Sequence, residues 1–156
     1  MADDGELTLV IGDRAYSGWT DIRVTRGIER IPADFDIAAT EEYGGALGDI
    51  VVQPGRECQV LLGGDVVVTG YVNRYAPSIS KRTHAVRISG RGRCQDMTDC
   101  SAYLRGIKNQ MLAASTARVA AALAGLFDIN VTALDGEGRV VPQFNVILTE
   151  TAWDVV

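Results

Sequence analysis

The segment from Gly90 to Ala102, Gly-Arg-Gly-Arg-Cys-Gln-Asp-Met-Thr-Asp-Cys-Ser-Ala, divides the sequence into two kinds of pattern. Before it, apolar residues recur every second position. After it, they recur at spacings of three and four. A period of two belongs to strands with one buried face and a period near 3.6 to helices, so the chain must change architecture here. Gly90 and Gly92 tolerate backbone angles and close approaches that other residues resist. Beyond them, Cys94, Met97 and Cys100 or Ser101 fall on one side of a short helix, with Asp96 and Asp99 on the other.

The first part reads as consecutive strands. Leu7, Leu9 and Ile11 alternate with Thr8 and Val10, Gly12-Asp13-Arg14 offers a turn, and Tyr16 to Arg26 continues the hairpin, with Ile22 and Val24 opposite Asp21, Arg23 and Thr25. Ile28-Glu29-Arg30-Ile31-Pro32 reads as a loop carrying two isoleucines. Phe35, Ile37 and Ala39 form the next apolar face. Cys58, Val60 and Leu62 precede Gly63-Gly64, a pair suited to a tight hairpin leading into Asp65 to Tyr75. Gly70 within that run suggests a bend or bulge, and Pro77 its end. Ser80-Lys81-Arg82 is a turn, after which His84, Val86 and Ile88 share a face. About six such strands with tight turns fit a small antiparallel barrel or sandwich.

Downstream, Tyr103 to Leu112 has no clean period. Ser115 is an N-cap for a helix to about Leu126 with a Val119, Leu123, Leu126 stripe. Ile129 to Ala133 reads as a strand, Asp135 to Gly138 as a turn, and Val140 to Leu148 as a strand broken by Pro142. Thr151 and Asp154 have capping-box spacing, and the helix they open ends after one turn, which implies a piece of a longer protein. The expected class is mainly β with some α (α+β). An antiparallel β-barrel domain over residues 1–92 precedes a helix-containing α/β segment over 93–156, the start of a second domain.

Composition narrows the function. The 156 residues are 47% apolar and 22% charged, ordinary for a globular protein. No signal peptide or membrane-spanning run appears, so synthesis in the cytoplasm is expected. The three cysteines lack metal-site or redox spacing and read as buried thiols. Residues 1–78 carry 6 basic and 13 acidic side chains and residues 79–156 carry 9 and 7, a balance that gives no general support for nucleic-acid binding.

Candidate chemistry is sparse. Ser101, His84 and Asp96 or Asp99 form a triad only on paper, because His84 lies on an apolar face and no nucleophile elbow is present. Gly90-Arg91-Gly92-Arg93 lacks the third glycine and the lysine of a phosphate loop. Asp34, Asp36, Glu41 and Glu42 lack the ligand order of a calcium loop and read as a solvated edge. Arg87, Arg91 and Arg93 form a basic row that could bridge subunits or face DNA in a channel. Trp19, Tyr16, Tyr71 and Tyr75 suit either core packing or a sugar platform. No catalytic, cofactor or metal residue is assigned, and no cofactor is expected.

Several of these pieces occur in a telling order: Tyr16-Ser17-Gly18-Trp19, Val24-Thr25-Arg26, Ile28-Glu29-Arg30, Phe35-Asp36-Ile37, Pro54-Gly55, Gly63-Gly64-Asp65, Thr69-Gly70-Tyr71-Val72, and Ser89-Gly90-Arg91 through Asp99-Cys100-Ser101-Ala102. Together they resemble the baseplate hub protein (tail protein P family) of Mu-like contractile-tailed bacteriophages. The resemblance implies a homotrimeric ring of tail-tube-like barrels that joins the tail tube to the central spike in the virion baseplate, assembled in the host bacterial cytoplasm. It also implies contacts with tube, spike and other baseplate proteins, passive contact with DNA in the channel, and no catalysis. Ile28, Ile31, Arg91, Asp96 and Asp99 are the candidate interdomain or subunit contacts. A carbohydrate- or cell-wall-binding module centred on Trp19 is the alternative.

Overall fold

The computed structural model describes residues 5–40, 52–80, 84–104 and 109–155. The chain forms two compact units, Met1–Arg93 and Cys94–Val156. Glu41, Glu42, Lys81 and Arg82 lie outside the described residues.

In the first unit, the strands are β1 (Leu7–Ile11), β2 (Arg14–Tyr16), β3 (Asp21–Thr25), β4 (Asp34–Thr40), β5 (Glu57–Leu62), β6 (Asp65–Ile79) and β7 (His84–Gly92). All seven pair antiparallel in the order β2-β1-β5-β6-β7-β4-β3. Alternation puts Leu7, Leu9, Phe35, Ile37, Val60, Val72 and Ile88 into one core, each almost fully buried. The turn into β6 forms at Gly63 and Gly64, both at positive φ, as a two-residue hairpin requires.

The β1–β2 hairpin ends at Tyr16 and does not run on to Arg26. Instead, β3 starts at Asp21 and pairs with β4, at the opposite end of the strand order. The intervening residues include Gly18 at φ 80° and Trp19, which packs on the core and breaks the strand. β2 and β3 are thus successive in sequence yet terminal on opposite sides of the ladder. Seven strands at ~4.8 Å spacing would separate flat edges by roughly 29 Å. The five peptide steps from Tyr16 to Asp21 reach only about 19 Å. The sheet is therefore curled. Among the described residues the ladder remains open, with no pairing between β2 and β3.

Two bulges account for faces that simple alternation misplaces. Val60 pairs with Val68 but Leu61 with Val66, which leaves Val67 as the extra residue. Leu62 and Val66, expected on the core face, are about half exposed in consequence. A second shift leaves Asn73 between Val72, opposite Gly90, and Arg74, opposite Ser89. Gly70 is not itself the bulge: a Cβ there would overlap the Arg91 carbonyl, so glycine permits β6 and β7 to approach. Strand β6 also continues past Pro77, which pairs opposite Val86. This part of β6 has β7 as its partner in the ladder, so a missing N–H is tolerated on its other side. Ile22 is 46% exposed because β3 is terminal, while Val24 reaches the core.

In the second unit, α1 (Gln95–Asp99) buries Met97, but Cys94 is half-buried and Cys100 exposed, so the three do not form one buried stripe. The end of the segment read as irregular, from residue 110, opens β8 (Gln110–Ser115), and no strand forms over residues 129–133. β8 instead pairs antiparallel with β9 (Val140–Asn145). β9 runs through Pro142 because each strand of a two-stranded sheet has a free edge. Opposite Pro142, Ala113 takes a positive φ of 47°, outside the regular register. The helix α2 (Thr116–Ala124) begins where expected, with Ser115 Oγ accepting from the Arg118 amide, and tightens into a 3-10 turn over Gly125–Phe127. Val119, Leu123 and Ala124 pack with Met97, Leu104, Ala114, Val146 and Ala152. The helix lies with an antiparallel pair, so this unit is α+β and not a βαβ arrangement.

Candidate functional site

The polar face of β3, β4, β7 and β6 holds a cleft. Cross-strand register sets its chemistry. Arg23 pairs opposite Asp36, Asp36 opposite Ser89, and Ser89 opposite Arg74, one row across four strands. Asp34 and Arg91 face each other one step along. A volume of about 320 Å³ lies among Arg23, Asp34, Asp36, Asn73, Ser89 and Arg91, with Phe35 and Gly90 beneath. Behind the cleft, on the core side of the sheet, a Cβ at Gly90 would strike the Phe35 ring and the Tyr71 carbonyl.

Electrostatics partition the cleft. Arg87 Nε donates to Asp36 Oδ1 at 2.5 Å, and Arg30 lies 3.8 Å from Asp34 as an i,i+4 pair. The Asp36 hydrogen bond, and then its charge, push the Arg87 guanidinium above its ordinary value. The acidic edge is therefore engaged by arginines and not simply solvated. The arginines at 87 and 91 match the aspartates at 36 and 34 only once β4 and β7 are paired, so spacing alone carried no local signal.

The remaining candidates fall into both units. Ile28 is 100% exposed in the β3–β4 loop, whereas Ile31 is half-buried before the cis Pro32. Arg91 is half-buried beside the cleft. Asp96 and Asp99 belong to α1 in the second unit, where Asp96 is half-buried and Asp99 accepts from Thr98 Oγ1 at 3.3 Å. Ile28, Ile31 and Arg91 thus share one unit, and Asp96 and Asp99 the other.

The competing chemistries find little geometry. Gly90 to Gly92 is strand and not a phosphate loop, and the Gly92 and Arg93 amides already donate to Ala33 and Thr69 carbonyls at 2.8 and 3.0 Å. The start of α2 is likewise closed: Thr116 and Ala117 amides donate to the Arg139 and Glu137 carbonyls, and Arg118 to Ser115. Ser101, Asp96 and Asp99 lie in the second unit and His84 in the first. Trp19, Tyr16 and Tyr75 pack against the core, which dismantles the sugar platform. Burial pushes the Cys58 thiol up to about 11, leaving it protonated and a poor nucleophile near neutrality. Among the described residues, no three His, Cys, Asp or Glu side chains gather as a metal site, and no helix is long and apolar enough to cross a membrane.

Comparison with known proteins assigns both units. Residues 6–92 match the family described as Mu phage baseplate assembly protein GpP-like, N-terminal, and residues 94–156 match the second domain of baseplate hub protein gp44-like. The baseplate hub protein gp44 of Escherichia phage Mu is 29% identical over 100 residues, covering 64% of this chain and 26% of that protein. The crystal structure of a 43 kDa tail protein from prophage MuSo2 of Shewanella oneidensis superposes with a TM-score of 0.82 at 29% identity, over 96% of this chain and 47% of that one. A tail protein from Neisseria meningitidis MC58 shares the fold, with a TM-score of 0.79 at 17% identity over 98% of this chain and 44% of its own. The chain thus spans just under half of these solved relatives and about a quarter of the phage Mu protein.

Proposed function

Starting from the fact that the chain belongs to the Mu phage baseplate GpP-like hub family, we propose that it forms part of a homotrimeric ring joining the tail tube to the central spike. The observation that carries this reading is the unbroken succession of two hub-family matches, residues 6–92 and then 94–156. A Mu-like phage baseplate protein of this kind is a structural component of the virion tail. Its role in the ring is to position neighbours and leave a conduit, with no reaction step, and DNA in the channel meets it only passively.

The first unit acts in this reading as a tail-tube-like barrel. Support comes from the short Tyr16-to-Asp21 connection, which draws the two ends of the seven-strand ladder towards each other. The functional domains of this reading are residues 1–92 and 93–156, with the division into compact units falling one residue later, after Arg93. Ile28, fully exposed at a loop tip, supplies an apolar contact to a neighbouring subunit or tube protein, with Ile31 anchoring the loop. Arg91, Asp96 and Asp99 contribute charged contacts that fix domain or subunit orientation. Assembly takes place in the host cytoplasm before the tail is complete.

Sedimentation equilibrium tests the ring. A trimer that weakens on Ile28→Asp, with the fold intact by circular dichroism, is the expected result. A strictly monomeric species at high concentration contradicts the reading.

A further inference from the structure

The cleft on the polar face of β3, β4, β7 and β6 has a charge arrangement that contact with a neighbour would use. Asp34 and Asp36 each have an arginine partner outside the lining, Arg30 and Arg87 respectively. Arg23 and Arg74 flank the row on its two outer strands, and both are exposed. Among the described residues neither makes an ion pair with another side chain. Register sets them three strand spacings apart, roughly 14 Å, across Asp36 and Ser89. The hairpin carrying this edge is also unusual in composition: no carboxylate occurs between Asp65 and Asp96, while the chain as a whole carries a net charge of −5.

We propose that this cleft docks an acidic polypeptide segment of a partner protein, with a carboxylate seated at Arg23 in the lining and a second at Arg74, just outside the lining at the end of the same cross-strand row. Ser89 offers a neutral hydroxyl in the cross-strand row between the two cations. An acidic peptide fits better than nucleic acid, because Asp34 and Asp36 within the lining would repel a continuous phosphate backbone, whereas spaced carboxylates can avoid them. The proposal rests on the reading of the chain as a component that binds neighbouring tail proteins. It is independent of trimer formation.

The test is titration of the full chain with an acetylated hexaglutamate peptide, compared with hexalysine and a short oligothymidylate. The expected result is salt-sensitive binding of hexaglutamate alone, weakened at least about tenfold by R23E/R74E and unchanged by R118E in the second unit. The double variant should keep its thermal unfolding and its sedimentation behaviour, so that loss of docking is read separately from loss of the ring. If R23E/R74E folds poorly, R23Q/R74Q replaces it, with a smaller loss expected. Undiminished binding in these variants, no binding by the wild-type chain, or tighter binding of oligothymidylate than of hexaglutamate would each overturn the proposal.

Discussion

The two units solve the problem of a small core differently. The first uses seven strands whose buried faces meet across long sequence distances, so that Leu9 of β1 and Ile37 of β4, with three strands between them in the ladder, enter one core. Among its described residues the second has two strands, a nine-residue helix with a 3-10 turn, and the five-residue α1, too few to be stable without close packing and capped ends. Its core leans on small residues, Ala102, Ala114, Ala124 and Ala152, all almost completely buried. A sheet of the first kind tolerates imperfect loops but not an intruding side chain between strands. A unit of the second kind depends on its helix start and turn chemistry.

Substitutions can break or sharpen that contrast. The largest effect is expected for Gly90→Ala, whose methyl group overlaps both the Tyr71 carbonyl and the Phe35 ring. A cost of at least about 3 kcal/mol in denaturant unfolding follows from the backbone shift required. Gly125→Ala in the second unit makes the opposite case, because it has a helical φ of −64° and open space around its Cβ. There a gain of about 0.5 kcal/mol is expected from the restricted unfolded chain. If both substitutions cost the same, close strand approach is not what limits the first unit.

Core truncation comes next. Ile88→Ala and Leu123→Ala each remove a side chain with 0% exposure and should cost about 3 kcal/mol, with amide exchange rising in the unit that carries the change. Ser115→Ala should cost about 1 kcal/mol, since it removes the acceptor for the Arg118 amide. The same substitution at exposed Ser17 should be nearly silent.

The smallest effect is a pH dependence at the end of the second unit. Thr151 and Asp154 form a reciprocal capping box: Asp154 accepts from Thr151 Oγ1 at 2.7 Å and from the Thr151 amide at 3.2 Å, while its own amide donates back to Thr151 Oγ1. The Thr151 hydroxyl, and then its amide, hold the Asp154 carboxyl below the ordinary carboxylate value. A depressed folded value means that the contribution is complete above the unfolded value, near pH 4, and disappears as pH falls through the folded one. The unfolding midpoints of wild type and Asp154→Ala should therefore differ at neutral pH and converge in stronger acid. A gap that persists there would show that the effect is not ionic.

The same contrast explains what the sequence disclosed. Strands β1, β4, β5 and β7 were legible because an alternating run such as Phe35-Asp36-Ile37 reports its own buried face. Leu62 and Val66 were misplaced because the bulge at Val67 is a property of the β5–β6 pairing, invisible in either strand alone. β8 escaped notice since Ala113, at positive φ, interrupts the period that would have revealed it. Ser115 and the Thr151–Asp154 box were legible because caps are local. Of the cleft, Arg91 was visible as part of an arginine row. Its meeting with Asp34 depends on residues 57 positions apart in sequence being opposite in the sheet, which no local signal encodes.

A cryo-electron reconstruction of the assembled tail that carries this protein tests the central claim most directly. The account predicts three copies of the seven-strand unit in a ring between tube and spike, with Ile28 at a protein contact. Density that places the protein elsewhere in the tail, or in a ring without threefold symmetry, would contradict it.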